Sequence, residues 1–166
     1  VGLAVAAMDR LGLLPETDLH PIVSEVTVPG RMTRRLVHGV QWILDVGHNP
    51  DACRYVTKQL MQSSQPGRRV VICGLLADKD AESIAPILSA YADDVVVVGL
   101  TGPRGRSAEV LSEVWARVTG QTPWRSFGTL ADALSELVPE LVPDTEVLVM
   151  GSFTLVADAL QHELFN

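Results

Sequence analysis

The sequence predicts an α/β fold built on an open, mostly parallel sheet with helices on both faces. Three observations carry this expectation. Strand-length apolar stretches alternate with longer stretches of helical periodicity along most of the chain. The strand stretches are continuous Val/Ile/Leu runs, as in RVVICG (69–74) and DVVVVG (94–99), which suits strands covered on both faces. Polar, glycine-bearing loops follow these strands, in the place where open α/β sheets bind ligands.

Residues 2–13 read as a helix with a mostly apolar face of Leu3, Val5, Ala6, Leu11 and Leu13, ending at Gly12 and Pro15. Such a face would normally be buried. No N-cap precedes it and Val1 opens the chain, so the expectation is a chain that begins partway through a larger protein. Residues 16–30 are mixed, and VPGR (28–31) is a turn and a candidate hinge. Residues 34–38 and 40–46 pair as strands around Gly39. A helix over 50–63 follows, then the loop SSQPGR and a strand at 69–74. Next come a helix over 80–91, a strand at 94–99 and a helix over 107–118 with Ser107 as N-cap. TPWRSF (122–127) holds a short strand. A helix over 129–138, the last strand at 145–151 and a helix over 153–164 complete the pattern.

A chain of 166 residues suffices for one domain with a sizeable core. Its 47% hydrophobic content makes it globular rather than disordered. The formal net charge of -7 argues against a nucleic-acid backbone binder, while leaving room for a local basic site for a nucleotide. Its apolar runs are too short to span a membrane. The apolar start carries Asp9 and Arg10, unlike a signal peptide. Cys53 and Cys73 form no CxxC pair, which favours free thiols in a reducing, cytoplasmic compartment.

The usual catalytic motifs are absent. There is no GxxxxGK[ST], no GxGxxG after the first clear strand, no HExxH and no zinc spacing. GSF (151–153) lacks the GxSxG elbow of a hydrolase. One residue stands out instead. Asp45 closes an apolar strand, a costly place for a carboxylate without a partner, and His48 and Asn49 follow it.

Five segments carry a resemblance: PGR (29–31), LDVGHNP (44–50), GLLADKD (74–80), LTGPRG (100–105) and GSF (151–153). In this order they resemble the C-terminal domain of the folylpolyglutamate synthase family, in its bacterial form that is also dihydrofolate synthase, a branch of the Mur ligase superfamily. The likeness covers nearly the whole chain, and residues 1–20 resemble the last helix of that family's central domain. It implies a Rossmann-like sheet of the Mur ligase C-terminal type over 29–166, with 1–28 the remnant of the preceding domain and linker. It also implies an ATP-dependent amide ligase. ATP phosphorylates a carboxylate of dihydropteroate or folate, and the amino group of L-glutamate attacks the acyl phosphate. ATP and Mg2+ are thus implied, with the P-loop and magnesium ligands in an N-terminal ATPase part that this chain lacks. The enzyme is expected to be a cytoplasmic monomer, and this fragment alone to be inactive. The DKD and LTGPRG loops favour the folate branch over one rival, a peptidoglycan Mur-type ligase, and the expected start partway through a larger protein disfavours the other, a non-catalytic nucleotide-binding module.

The resemblance assigns residues as follows. Arg31 matches the arginine that reaches the ATP phosphates, a role suited to a permanently charged fork; the alternative is a hinge arginine paired with a surface acid. Asp45 matches the acid that binds the ATP ribose, and it is also placed to cap the next helix. His48 and Asn49 line the nucleotide or interdomain cleft, or Asn49 caps the helix ahead of Pro50. Lys79 faces the substrate, or is solvated while Asp80 caps the following helix. Arg104 is a candidate anion contact or a loop end. Ser152 matches a serine near the incoming glutamate or the interdomain face, or it caps the last helix. Thr154 stands where family members often have Tyr or His, which leaves its substrate-binding role open.

Overall fold

Four runs of branched aliphatic residues form the centre of the sheet because each is apolar on both faces. They are β2 (Val40–Asp45), β3 (Arg68–Cys73), β4 (Asp94–Val98) and β6 (Thr145–Met150). β1 (Thr33–Val37) and β5 (Arg125–Phe127) are the edges, giving the order β1-β2-β6-β3-β4-β5. β1 runs antiparallel to β2 across a turn at Gly39, and every other pairing is parallel. The computed structural model describes residues 2–13 and 28–165. The mixed segment expected at 16–30 falls outside the described residues up to position 27.

Among the described residues the α-helices are α1 (Gly2–Arg10), α2 (Pro50–Ser63), α3 (Ala81–Tyr91), α4 (Ala108–Thr119), α5 (Leu130–Leu137) and α6 (Phe153–Gln161). Period-two alternation divides each central strand between two cores. Ile43, Val71, Val97 and Leu148 face the side covered by α2, α3 and α4. Leu44, Ile72, Val96 and Val149 face the side covered by α5 and α6. Each of the five helices after β2 starts on a side-chain cap: Asn49, Asp80, Ser107, Thr129 and Ser152 each accept an amide from the first turn.

Two helices are shorter than expected. α1 ends at Arg10 in a turn through Gly12, and its described end leaves Leu11 and Leu13 exposed at 70% and 62%, so the expected burial of that face is not seen among the described residues. α6 ends at Gln161 because His162 turns extended, and a 3-10 turn (Glu163–Phe165) follows. Among the described residues no helix is long and apolar enough to cross a membrane.

β6 is last in sequence yet lies between β2 and β3, so the chain reverses its direction of travel across the sheet there. In open α/β sheets such a switch point opens a crevice beyond the carboxyl ends. At the opposite, amino end, one buried charge ties the layers together. Glu146 is 1% exposed. Its carboxylate accepts from Tyr91 Oη and Ser64 Oγ, each at 2.6 Å, and Arg69 Nε lies 3.7 Å away. Tyr91 ends α3, Ser64 caps α2 and Arg69 belongs to β3, so one carboxylate holds three elements. A buried carboxylate is tolerable only when supplied with donors in this way.

Burial also sets the alkaline stability. Desolvation, with the nearby Asp45 charge adding and Arg54 opposing, pushes the Cys53 thiol from 9.0 to about 12. Desolvation likewise pushes Cys73 well up, and burial with the Glu146 bond does so for Tyr91. Each group holds its proton more tightly when folded than when unfolded. Stability is therefore complete below the unfolded pKa and is lost as the unfolded chain ionises first. Under reducing conditions the two thiols should lower the unfolding free energy by roughly 1–3 kcal/mol between pH 8 and pH 10. Urea titrations across that range would check this, and a flat profile would contradict it.

Candidate functional site at the carboxyl edge

The residues singled out by the sequence lie on four neighbouring loops beyond the ends of β2, β6, β3 and β4. The first loop receives the turn at 28–32. Arg31 N donates to Val28 O at 3.0 Å and Gly30 N to Thr33 Oγ1 at 2.9 Å, which closes the turn. Val46 N donates to Gly30 O at 2.8 Å, and Met32 N donates to Asp45 Oδ2 at 2.9 Å, which dock it on the end of β2. Gly30 has φ +75°, and a Cβ there would come within 2.9 Å of Val46 and 3.0 Å of Val156. Only glycine lets the turn lie this close. Met32 holds φ 49°, a strained value for a side-chain-bearing residue that the bond to Asp45 helps to maintain.

Asp45 is 3% exposed, and each of its oxygens has a backbone donor. Oδ2 takes Met32 N–H, and Oδ1 takes Gly47 N–H at 2.7 Å. The partner of this carboxylate thus lies within the chain, in the turn and in its own loop. It does not cap α2. Asn49 does so, accepting Ala52 N–H at 2.8 Å ahead of Pro50 at the first helical position. A carboxylate has about four acceptor sites, so Asp45 keeps capacity beyond its two amides.

Arg31 is exposed, and its guanidinium has no hydrogen bond or ion pair among the described residues, so the acid of the hinge alternative is not seen among them. His48 Nδ1 lies 2.9 Å from Val46 O. A carbonyl only accepts, so Nδ1 carries the hydrogen and a neutral ring presents Nε2 as acceptor. The ring packs at 5.7 Å on Phe153, which is 59% exposed at the start of α6.

Ser152 is 2% exposed and caps α6, accepting Leu155 N–H at 3.0 Å. Gly151 before it has φ +121°, and a Cβ would meet Gly74 O at 2.5 Å, so the β6 loop lies against the β3 loop. Thr154 is exposed on α6. Lys79 pairs with Asp78 at 2.9 Å rather than being free in solvent, and Asp80 caps α3 through Ser83 N–H at 3.0 Å. Arg104 is exposed on the β4 loop.

Phe153 and Arg106 were missed by the sequence reading. Phe153 could have been noticed as an aromatic residue beginning a helix after a strand-end GlySer. Arg106 bears no such signal, because its partners are backbone carbonyls of another loop.

The arrangement offers a guanidinium unpaired among the described residues, a strand-end carboxylate and an imidazole acceptor along one edge, a set suited to phosphate and sugar hydroxyls. Two cavities lie elsewhere. One of about 230 Å³ is lined by Ser89, Asp93, Trp115 and Trp124, and one of about 440 Å³ lies between α5 and the chain's end; neither is lined by Arg31, Asp45 or His48. Among the described residues no three His, Cys, Asp or Glu side chains cluster to hold a metal ion.

The model of the "Mur ligase, glutamate ligase domain" family matches residues 30–153. The dihydrofolate synthase/folylpolyglutamate synthase of Escherichia coli (strain K12) is 31% identical over 159 residues, covering 95% of this chain and 36% of the relative. The solved structure of E. coli FolC in complex with ADP, without folate substrate, superposes with a TM-score of 0.81 at 31% identity, covering 95% of this chain and 37% of that one. The bifunctional enzyme of Yersinia pestis complexed with AMPPNP and Mn ion gives 0.75 at 31% identity, over 89% of this chain and 34% of that one. The chain therefore spans little more than a third of the E. coli relative's length.

Replacing Asp45 with Asn supplies one acceptor oxygen in place of two. Either Met32 N–H or Gly47 N–H then loses its partner. Asp45→Asn should lower stability by about 1–3 kcal/mol, the cost of a buried polar group left unpaired. Urea unfolding checks the loss, and hydrogen exchange should be accelerated at Met32 or Gly47. Unchanged stability would show that the clamp is not needed.

Proposed function

The chain belongs to the Mur ligase family through its glutamate ligase domain, and from that premise we propose that it is the C-terminal domain of an ATP-dependent amide ligase adding L-glutamate to dihydropteroate, to folates, or to both. One observation carries the reading beyond family membership. Arg31, whose guanidinium is unpaired among the described residues, lies in a turn that Met32 N–H, the next backbone donor, fastens to the strand-end carboxylate Asp45.

In this reaction a carboxylate oxygen of the acceptor attacks the γ-phosphorus of ATP, giving an acyl phosphate and ADP. The glutamate amine then attacks the acyl carbon; a C–N bond forms, phosphate leaves and the amine loses a proton. Arg31 grips oxygens of the transferring phosphoryl group with its planar fork. Asp45 accepts from ribose hydroxyls through the lone pairs its two amides leave. His48 and Asn49 line the same cleft, His48 through Nε2 and Asn49 through the amide nitrogen that its cap does not use. Lys79, Ser152 and Thr154 belong to the glutamate and acyl-substrate side. Residues 1–28 are assigned to the preceding domain and linker, and 29–166 to this one. Magnesium, when bound, neutralises phosphate charge, and its ligands are assigned to the companion N-terminal ATPase domain. The enzyme is assigned as a cytoplasmic monomer.

The test uses the full-length chain that carries this domain, with ATP, magnesium, glutamate and either dihydropteroate or tetrahydrofolate. It should release one ADP for each glutamate joined. Arg31→Ala should lower turnover about a hundredfold, the scale of losing one preorganised donor to a transition state. Arg31→Lys should restore only part, because an ammonium cannot reproduce the fork. Near wild-type turnover by Arg31→Ala at saturating ATP would remove the phosphate role.

A further inference from the structure

The loops after β3 and β4 are joined by bonds that the proposed chemistry does not use. Ala77 N donates to Arg104 O at 2.9 Å. Arg106 Nη2 donates to Ala77 O at 2.8 Å and to Lys79 O at 3.0 Å. The Arg106 backbone is itself held, its carbonyl accepting Leu100 N–H at 2.9 Å. One planar nitrogen thus bridges two carbonyls of a loop that has no strand pairing of its own. Arg106 Nη1 is buried without an acceptor among the described residues, a cost that the two bonds from Nη2 offset.

The clamp joins the two loops that carry the cations Lys79 and Arg104. Lys79 Nζ reaches Asp78 at 2.9 Å. The Asp78 carboxyl is held below its ordinary value, first by the Lys79 hydrogen bond and also by the Arg104 charge. Asp78 thus feels both cations, while Arg104 itself is exposed with no ion pair among the described residues. Within a chain of net charge -7, the two joined loops carry Lys79, paired with Asp78, and Arg104.

We propose that Arg106 is a positioning residue that fastens the 76–80 loop to the 100–106 loop, so that Lys79 and Arg104 together receive a substrate carboxylate in exchange for Asp78. The inference rests on the ligase reading above. The carboxylate belongs either to the free amino acid or to the acyl substrate. Arg106 touches neither, and acts by fixing the spacing of the two cations. Because a carboxylate is bound before and during reaction alike, loosening the pair weakens binding more than turnover.

The experiment compares Arg106→Ala and Arg106→Lys with wild type in the full-length enzyme. KM is measured separately for ATP, for glutamate and for the acyl substrate, alongside hydrogen exchange at Ala77. Arg106→Ala should raise the KM of one carboxylate substrate about tenfold, the effect of weakening one charge-assisted bond. The KM for ATP and the turnover should stay within about twofold of wild type. Ala77 exchange should quicken while the β3 amides remain protected. Whichever KM moves identifies the source of the carboxylate. Arg106→Lys should recover part of the loss, since an ammonium lacks the planar reach. Wild-type KM values despite a loosened loop would overturn the proposal, as would unchanged Ala77 exchange. A fall in turnover and stability together, with no KM split, would reduce Arg106 to a structural residue and overturn it too. If wild type ligates no glutamate, the ligase reading and the carboxylate role fall together, while the exchange arm still reports whether the clamp exists.

Discussion

A carboxylate carried into the end of a buried strand governs the geometry of this edge. Asp45 is almost without solvent and must take its hydrogen bonds from the protein. It takes them from Met32 and Gly47, on either side of β2. Two results follow from one charge. The turn carrying Arg31 is fastened to the sheet, and the loop carrying His48 is bent sharply enough to start α2 at Pro50. Gly30 permits the close approach, and Val46 N–H completes it.

The rest of the edge depends on the same economy of backbone contacts. β6 lies between β2 and β3, so the Gly151 loop presses on Gly74 and brings Phe153 beneath His48. The next pair of loops is joined through Arg104, Ala77 and Arg106. Glu146 does for the amino end what Asp45 does for the carboxyl end, gathering α2, α3 and β3 around one acid. Two buried carboxylates at opposite ends of adjacent strands therefore brace the parallel sheet.

The sequence made much of this legible where a local signal exists. AsnPro at 49–50 sets the start of α2 through cap and fixed φ, and the observed bounds agree. The Val runs set β3 and β4 because continuous burial leaves no other reading. Gly39 marks the hairpin. What was not legible is non-local. Nothing in the pattern says that the last strand inserts between the first two of the parallel set. The end of α6 at Gln161, where His162 turns extended ahead of the Phe165 ring contact with Trp42 at 5.2 Å, has no breaker in the sequence to mark it. In the site, the resemblance singled out Asp45 but not its two amides, because backbone donors carry no residue identity. Ser152 could be read as a contact or a cap, and the hydroxyl caps α6. Arg106 stayed invisible for the same reason as the amides.

The central claim is that Asp45 acts on Arg31 through the turn between them. A double-mutant cycle on turnover measures this directly, using Asp45→Asn, Arg31→Ala and the pair in the full-length enzyme at saturating ATP. If the clamp aims the guanidinium, Asp45→Asn should slow wild type but add little once Arg31 is gone. The coupling should then be about 1 kcal/mol or more, within the range for groups that share a structural connection. Independent, additive losses would contradict the account and leave Asp45 and Arg31 as separate contacts on one edge.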